Sequence, residues 1–300
     1  MRHEYRLVDV FTCGAAPAPG AGIRWKPGGN PLAVFPEARA VDPVLMQHIA
    51  FELNLSETTF VLPPSRPDCD VRVRIFTPRS EVPMAGHPTI GTAFVLNRSD
   101  RVVFEEGVGP VPVARVRGPD GSPMWRMTQP RPRFGARAGD RAALAAALGL
   151  DADDLDAALP GEVVATGPAF LMVPLRELGT LARARVRADL WEPIERALGV
   201  GGAYLFVQTG PAAARCRMFA PSAGIAEDPA TGSAAGPLGA YLLEHGRLAA
   251  KRPAHLEITQ GVEMGRPSQI RVEVEGARGD IPAVHVGGAC VAVGGGWFEV

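Results

Sequence analysis

An α+β fold built from two similar halves is what this sequence predicts, on three observations. First, a strand-turn-helix segment occurs twice. Arg72-Val-Arg-Ile-Phe-Thr-Pro78 leads into Ala85-Gly-His-Pro-Thr-Ile-Gly-Thr-Ala93, and Arg215-Cys-Arg-Met-Phe-Ala-Pro221 leads into Glu227-Asp-Pro-Ala-Thr-Gly-Ser-Ala234. Second, the copies lie about half a chain apart, well beyond the roughly 20–50-residue period of a solenoid, so they mark two units rather than an array. Third, 300 residues with 46% hydrophobic content can fill two cores, in domains of roughly 150 residues each.

The elements follow in order. Leu7-Val-Asp-Val-Phe11 reads as a strand, Thr12 to Gly29 as an Ala/Pro/Gly-rich loop, and Asn30-Pro-Leu-Ala-Val-Phe35 as the next strand. Asp42-Pro43 starts a helix, an N-cap followed by proline at the first helical position, and Leu45, Ile49 and Leu53 recur at helical spacing up to Asn54. Glu57 to Leu62 is a short strand, and residues 71–77 alternate into the first duplicated turn. Pro88 to Leu96 carries hardly a charge, the pattern of a helix buried inside its own half. Residues 117–139 are rich in Gly, Pro and Arg and hold the boundary, giving halves 1–127 and 128–287, with a last strand, about 288–300, that could rejoin the first half. Beyond it Asp140 caps a helix with Leu144 and Leu148, Val163 to Leu175 and 203–221 are strand-like, Leu238, Tyr241 and Leu242 mark the second buried helix, and the chain from Leu256 is β-like.

Composition excludes several functions. The net charge is −1 with acids and bases interspersed, so neither nucleic acid nor a membrane surface is an expected partner. The Met1-Arg-His-Glu-Tyr-Arg start lacks the apolar run of a signal peptide, and no stretch approaches the roughly 18 apolar residues of a membrane span, so a cytoplasmic location is expected. Cys13, Cys69, Cys216 and Cys290 are scattered and read as reduced thiols. Cys216 alternates with Arg215 and Arg217 and so faces a core. No dinucleotide, phosphate-loop, zinc-protease or nucleophile-elbow motif is present, and neither a cofactor nor a metal is expected.

Four motifs carry a family resemblance: Asn54-Leu-Ser-Glu-Thr-Thr-Phe-Val61; Phe76-Thr-Pro with Glu81-Val-Pro-Met-Ala-Gly-His-Pro-Thr89; Phe219-Ala-Pro with Glu227-Asp-Pro-Ala-Thr-Gly-Ser-Ala234; and Gln260-Gly with Met264-Gly-Arg-Pro-Ser268. In this order, over nearly the whole chain, they resemble the phenazine-biosynthesis PhzF-like isomerases. That resemblance implies the diaminopimelate-epimerase-like fold: two pseudo-symmetric domains, each a curved sheet or barrel around a central helix, with the site in the cleft between them. It also implies a homodimer, and it assigns Glu57 as general acid/base with His87, Asp228 and Ser233 beside it.

The residues admit bland readings as well. Glu57 lies at a helix-to-strand junction, where facing an apolar cleft would raise its pKa into the range useful for taking and returning a proton; on composition alone such a glutamate is solvated. Asp228 could keep one carboxyl of a pair protonated, or merely cap a helix ahead of Pro229. His87 could be a turn histidine and Ser233 an N-cap. Gly86 and Gly232 open the two turns. Backbone N–H groups at a helix start, bared by glycine, bind carboxylates, so the turns could clamp a small anionic metabolite, with Asn30 a weaker substrate contact. The turns match better as Gly86-His87 with Gly232-Ser233 than as His87 with Asp228. Amino-acid racemases of the implied fold use one cysteine from each half, whereas here Gly86 and Gly232 are the equivalents. With these residues, the resemblance implies a cofactor-independent isomerase moving a proton within a carboxylate-bearing, dihydro-hydroxyanthranilate-like metabolite. The alternatives are an epimerase or lyase of the same fold, or a binding protein without turnover. A Pro/Gly-rich insertion from Cys13 to Gly28, carrying Arg24, Trp25 and Lys26, departs from the family pattern and could overhang the cleft or be an unconstrained surface loop.

Overall fold

A computed structural model describes residues 2–13, 28–249 and 253–299, so positions 14–27, most of the Cys13–Gly28 insertion with Arg24, Trp25 and Lys26, lie outside the described residues. β1 (Arg2–Thr12) and β2 (Asn30–Phe35) are antiparallel. Helix α1 (Pro43–Leu53) then crosses to β3 (Glu57–Leu62), parallel to β2. The Asp42 carboxylate accepts the Val44 N–H at 2.8 Å, and Pro43 occupies the position where no N–H is needed. β4 (Val71–Phe76) returns antiparallel to β3, the two-residue β5 (Glu81–Val82) folds back on β4, and α2 (Gly86–Leu96) follows. β6 (Arg101–Glu106) lies parallel to β4, and β7 (Gly109–Arg117) and β8 (Pro123–Gln129) complete a meander.

β9 (Arg133–Arg137) and α3 (Arg141–Ala147) lead to β10 (Glu162–Ala165) and β11 (Ala169–Pro174). Helices α4 (Leu178–Arg183) and α5 (Ala188–Leu198) cross to β12 (Ala203–Gly210), parallel to β11. Then come β13 (Ala213–Ala220), β14 (Ile225–Asp228), α6 (Gly232–Glu244), β15 (Ala254–Gln260), β16 (Ser268–Val274) and β17 (Val284–Glu299). The order of pairings from β10 to β17 is that from β1 to β8: antiparallel, parallel over a helical crossover, antiparallel, a short folded-back strand, a helix, a parallel return and two antiparallel strands. β17 is long enough to serve twice. Its first residues pair with β16 and β8, and from Ala289 onward it pairs with β1, closing the first ring.

α2 and α6 fill these rings. α2 packs on β1, β2, β3, β7, β8 and β17, and α6 on β10, β11, β15, β16 and β17. Neither contains a charged residue before Glu244, which is why each can be surrounded by strands. The hairpins that lead into both helices are held by the same device. Arg74 makes a fork of bonds to Glu81 (2.8 and 2.7 Å) across the Phe76 ring, and Arg217 makes one to Glu227 (2.8 and 2.7 Å) across Phe219.

Several elements differ from the sequence reading. The 117–139 segment, where the boundary was read, is mostly β8 and β9. Met124, Trp125 and Met127 are buried there, hidden in the sequence among Arg and Pro. Residues 163–175 and 203–221 are each two strands, and α2 begins two residues early, at Gly86. Cys216 is wholly buried, but so is its neighbour Arg217. Its second amino group donates to the carbonyls of Leu181, Ala182 and Ala184 at the end of α4, a helix with no clear sequence signal that covers this face of β13.

One buried acid lies in the core of the first ring. Burial pushes the Glu106 carboxyl up to about 8, against the bond from Thr89. The folded chain therefore holds this proton up to about pH 8, whereas the unfolded chain releases it near the ordinary value of about 4.3, so folding stability falls as pH rises between the two, by at most about 1.4 kcal/mol per unit. Glu106→Gln removes that loss. Urea unfolding from pH 4 to 9 should show no gain for the variant at the acid end and a gain growing to a few kcal/mol by about pH 8; equal stabilities across the range would refute it.

Candidate active site

α1 ends on Asn54, which takes the left-handed conformation (φ 49°) that stops the helix, and three residues later Glu57 opens β3. The same junction that ends the helix thus delivers the carboxyl to the cleft. From the other walls α2 brings Gly86 and His87 in its first turn, β14 ends on Asp228, and α6 brings Gly232 and Ser233 in its first turn. Glu57, Gly86, His87, Asp228, Gly232 and Ser233 all line one cavity of about 290 Å3, and apolar side chains such as Met84, Phe170, Met218 and Ile225 make up much of the rest. The two helix starts touch. A Cβ placed on Gly86 would lie 2.5 Å from the Ser233 nitrogen and 2.6 Å from Gly232 Cα. Gly86 and Gly232 are each the first residue of their helix, in agreement with the second register of the duplication.

Glu57 keeps 14% of its side-chain surface, and its Oε2 stands 3.5 Å from His87 Nε2, too far for a good hydrogen bond; both atoms are buried and without another partner. Burial, and after it the negative charge of Asp228, hold the Glu57 carboxyl well above the usual carboxylate range. Burial drives His87 the other way, down to about 3, opposed by its interaction with the Pro31 backbone carbonyl. At neutral pH His87 is a neutral imidazole. The Pro31 interaction places its proton on the far nitrogen, leaving Nε2 as an acceptor facing Glu57. A protonated Glu57 can close on that nitrogen, and an ionised one cannot, so the pair favours the acid form until a ligand enters.

Asp228 is buried and its carboxyl is raised by that burial, although Thr231, Ser56 and Asn30 all bond it. Thr231 Oγ1 donates to Oδ2 at 2.5 Å, and Ser56 Oγ and Asn30 Nδ2 donate to Oδ1 at 2.8 Å. Asn30, the weaker substrate-contact candidate, is held by Asp228. It is wholly buried, outside the cavity lining, and spends its amide on Asp228 and the Ala230 carbonyl. Asp228 does not cap α6, because Thr231 precedes that helix, and Ser233 lies inside its first turn rather than at the cap.

Sequence reasoning missed the supports. Ser56 and Thr231 bond Asp228 directly. Gln260 accepts from the Thr231 N–H and from the Tyr204 hydroxyl and donates to the Asp228 carbonyl, fixing the turn before α6. Ser56, Thr231 and Gln260 all stood inside the quoted motifs, and motif membership was the available signal. Their residue types reveal nothing by themselves, and the partners come together only in the fold, 172 positions apart for Ser56 and Asp228.

Residues 26–296 match the family model of the phenazine biosynthesis-like proteins, PhzC–PhzF. The chain is 38% identical over 293 residues to the trans-2,3-dihydro-3-hydroxyanthranilate isomerase of Pseudomonas aeruginosa, covering 95% of each. It superposes on the crystal structure of a PhzF-family phenazine biosynthesis protein from Bacillus anthracis with a TM-score of 0.87, at 25% identity and full coverage of both chains. A hydroxyproline epimerase from Agrobacterium vitis, at 13% identity, shares the fold with a TM-score of 0.68 over 99% of this chain and 92% of its own. The architecture is accordingly mixed α+β and diaminopimelate-epimerase-like. With a family model spanning nearly the whole sequence and a full-length relative well above 30% identity, the chain belongs to the phenazine biosynthesis-like, PhzF protein family.

Proposed function

We propose that this protein is a cofactor-independent isomerase that moves a proton within the ring of a small carboxylate-bearing metabolite of the trans-2,3-dihydro-3-hydroxyanthranilate kind, with Glu57 as the acid/base. The observation that carries this reading is the Glu57 carboxyl: shielded, raised by burial, open to the cavity, and 3.5 Å from a histidine that cannot compete for its proton near neutrality. A carboxyl that burial makes a stronger proton acceptor is suited both to remove a proton and to return it. The negative charge of Asp228 adds to burial in raising the affinity of Glu57 for the proton. The N–H groups at the starts of α2 and α6, beside Gly86 and Gly232, receive the carboxylate or the charge that develops on the ring.

The matched order of pairings and the paired Arg–Glu–Phe clamps support two pseudo-symmetric copies of one unit, 1–127 and 128–287, with 288–300 joined to the first. The protein acts as a homodimer in the cytoplasm, a state that sedimentation at micromolar concentration tests by its mass. Among the described residues, no helix is long and apolar enough to cross a membrane. The direct test of function is incubation with trans-2,3-dihydro-3-hydroxyanthranilate in deuterium oxide, followed by NMR. Isomerisation with deuterium appearing at a ring carbon is expected, whereas an unchanged substrate, or elimination of water, would overturn the proposal.

A further inference from the structure

Glu106 is a buried acid that this chemistry leaves unused. The strand registers identify its counterpart: Arg72 pairs with Glu105 across β4 and β6, and Arg215 pairs with Thr259 across β13 and β15. Arg72 and Arg215 open the two copies of the repeated segment, so Glu106 stands where Gln260 stands in the other half. Gln260 ties down the turn before α6, through the Asp228 carbonyl and the Thr231 N–H. Glu106 is placed to do the same for α2, through Thr89.

The number of hydrogens around Thr89 decides how. Its hydroxyl lies 2.7 Å from the Ala85 carbonyl oxygen and 2.5 Å from Glu106 Oε1, and it has one hydrogen to give. A carbonyl oxygen can only accept. Both contacts are hydrogen bonds at once only if Glu106 is the acid form, its O–H donating to Thr89 while Thr89 donates to Ala85. An ionised Glu106 would take the Thr89 hydrogen for itself, leaving the Ala85 carbonyl with the long 3.4 Å bond from the Thr89 N–H. Ala85 C=O and Gly86 N–H belong to one rigid peptide plane, so what holds the carbonyl aims the N–H. That N–H opens α2 and has no partner within the helix, and Gly86 lines the cavity.

We infer that Glu106, acting as a neutral acid through Thr89, is a positioning residue that aims the Gly86 N–H into the active-site cavity; only the identity of what that N–H receives rests on the function proposed above. Among the described residues, no charged neighbour intervenes. Burial and the Thr89 bond are the influences on Glu106, the residue facing it on β7 is Gly109, and α2 offers no ionisable group besides His87.

Labelling with [13C-carbonyl]alanine and [15N]glycine restricts NMR signals to Ala–Gly peptides, and an Ala85→Ser variant identifies the Ala85–Gly86 signal by removing its label. In a Glu57→Gln background, which silences Glu57, this signal should titrate with a midpoint near pH 8, where burial places Glu106. It should stay still when Glu106→Gln is added, since an amide donates to Thr89 at every pH, and equally with Thr89→Val. In parallel, Thr89→Val should weaken binding of 3-hydroxyanthranilate about tenfold, the worth of one hydrogen bond, with Thr89→Ser restoring it. A signal that does not titrate, or one that titrates alike with and without Glu106, overturns the inference. If Glu106→Gln fails to fold, the Thr89 variants decide it alone. A titration as expected in a protein that does not bind 3-hydroxyanthranilate supports the Glu106 linkage and overturns the proposed function instead.

Discussion

Glu57→Gln is expected to lower turnover of trans-2,3-dihydro-3-hydroxyanthranilate by about 10²–10⁴-fold, the contribution of a positioned general acid/base, which corresponds to roughly 3–5 kcal/mol of lost transition-state stabilisation. The substitution is nearly isosteric, so the cavity keeps its shape and 3-hydroxyanthranilate should bind within a few-fold of its affinity for the parent protein. Stability should not suffer. A carboxyl raised well above its ordinary range costs folding energy once pH exceeds that ordinary value, because the unfolded chain ionises freely there. The amide carries no such cost, and the unfolding midpoint at neutral pH should be unchanged or higher. Single-turnover kinetics and a binding titration on the same preparation separate chemistry from affinity. Unchanged turnover would remove Glu57 from the mechanism, and a parallel loss of binding would make it a substrate ligand instead.

The repeated strand-turn-helix segment was legible because it is written in local signals: Phe-x-Pro, a glycine turn and an uncharged helix, each dictated by backbone geometry or burial. The same holds for Asp42-Pro43 before α1 and Asp140 before α3, whose carboxylate accepts the Ala143 N–H at 2.9 Å. What could not be read are the elements whose burial is decided by remote partners. β8 looks like a linker until β7 and β17 flank it, and Arg217 looks like a surface residue until α4 supplies carbonyls to its guanidinium. The site divides the same way. Glu57, His87, Asp228 and Ser233 have chemistry that draws attention in a sequence, and all four line the cavity. The hold of Asn30 on Asp228 could not be read, because a buried asparagine that bonds a carboxylate has the same sequence signature as one that holds a substrate. Glu106 was overlooked, since in the sequence it is one of two adjacent glutamates ending a strand, and burial separates it from the exposed-side Glu105 only after β6 has taken its register.

Gly86→Ala should be as damaging as losing the base, for a reason that is purely steric. The added Cβ would meet the Ser233 nitrogen at 2.5 Å and the Gly232 carbonyl carbon and Cα at 2.6 Å, all backbone atoms at the start of a buried helix. Such atoms cannot rotate aside, so the first turns of α2 and α6 must separate by most of an ångström to reach ordinary contact. Gly232 leaves little room for that on its own side, with Phe11 Cζ 2.8 Å from where its Cβ would stand, and Phe11 is itself held at φ 64° between Gly232 and Gly288. Overpacking of this kind costs about 1–3 kcal/mol of stability. The larger effect is on rate: the displaced turns carry the N–H donors and His87 while Glu57 stays on β3, and a misplacement of about 1 Å can cost about 10²-fold. The same geometry bears on chemistry, because a thiol at Gly86 would need the same separation and one at Gly232 would have to displace the Phe11 ring, so the helix starts leave no room for a pair of facing cysteines. The measurement is kcat and KM together with thermal unfolding of Gly86→Ala. A folded variant with parental kcat would mean that the contact between the two helix starts is slack and that they do not set the geometry of the site.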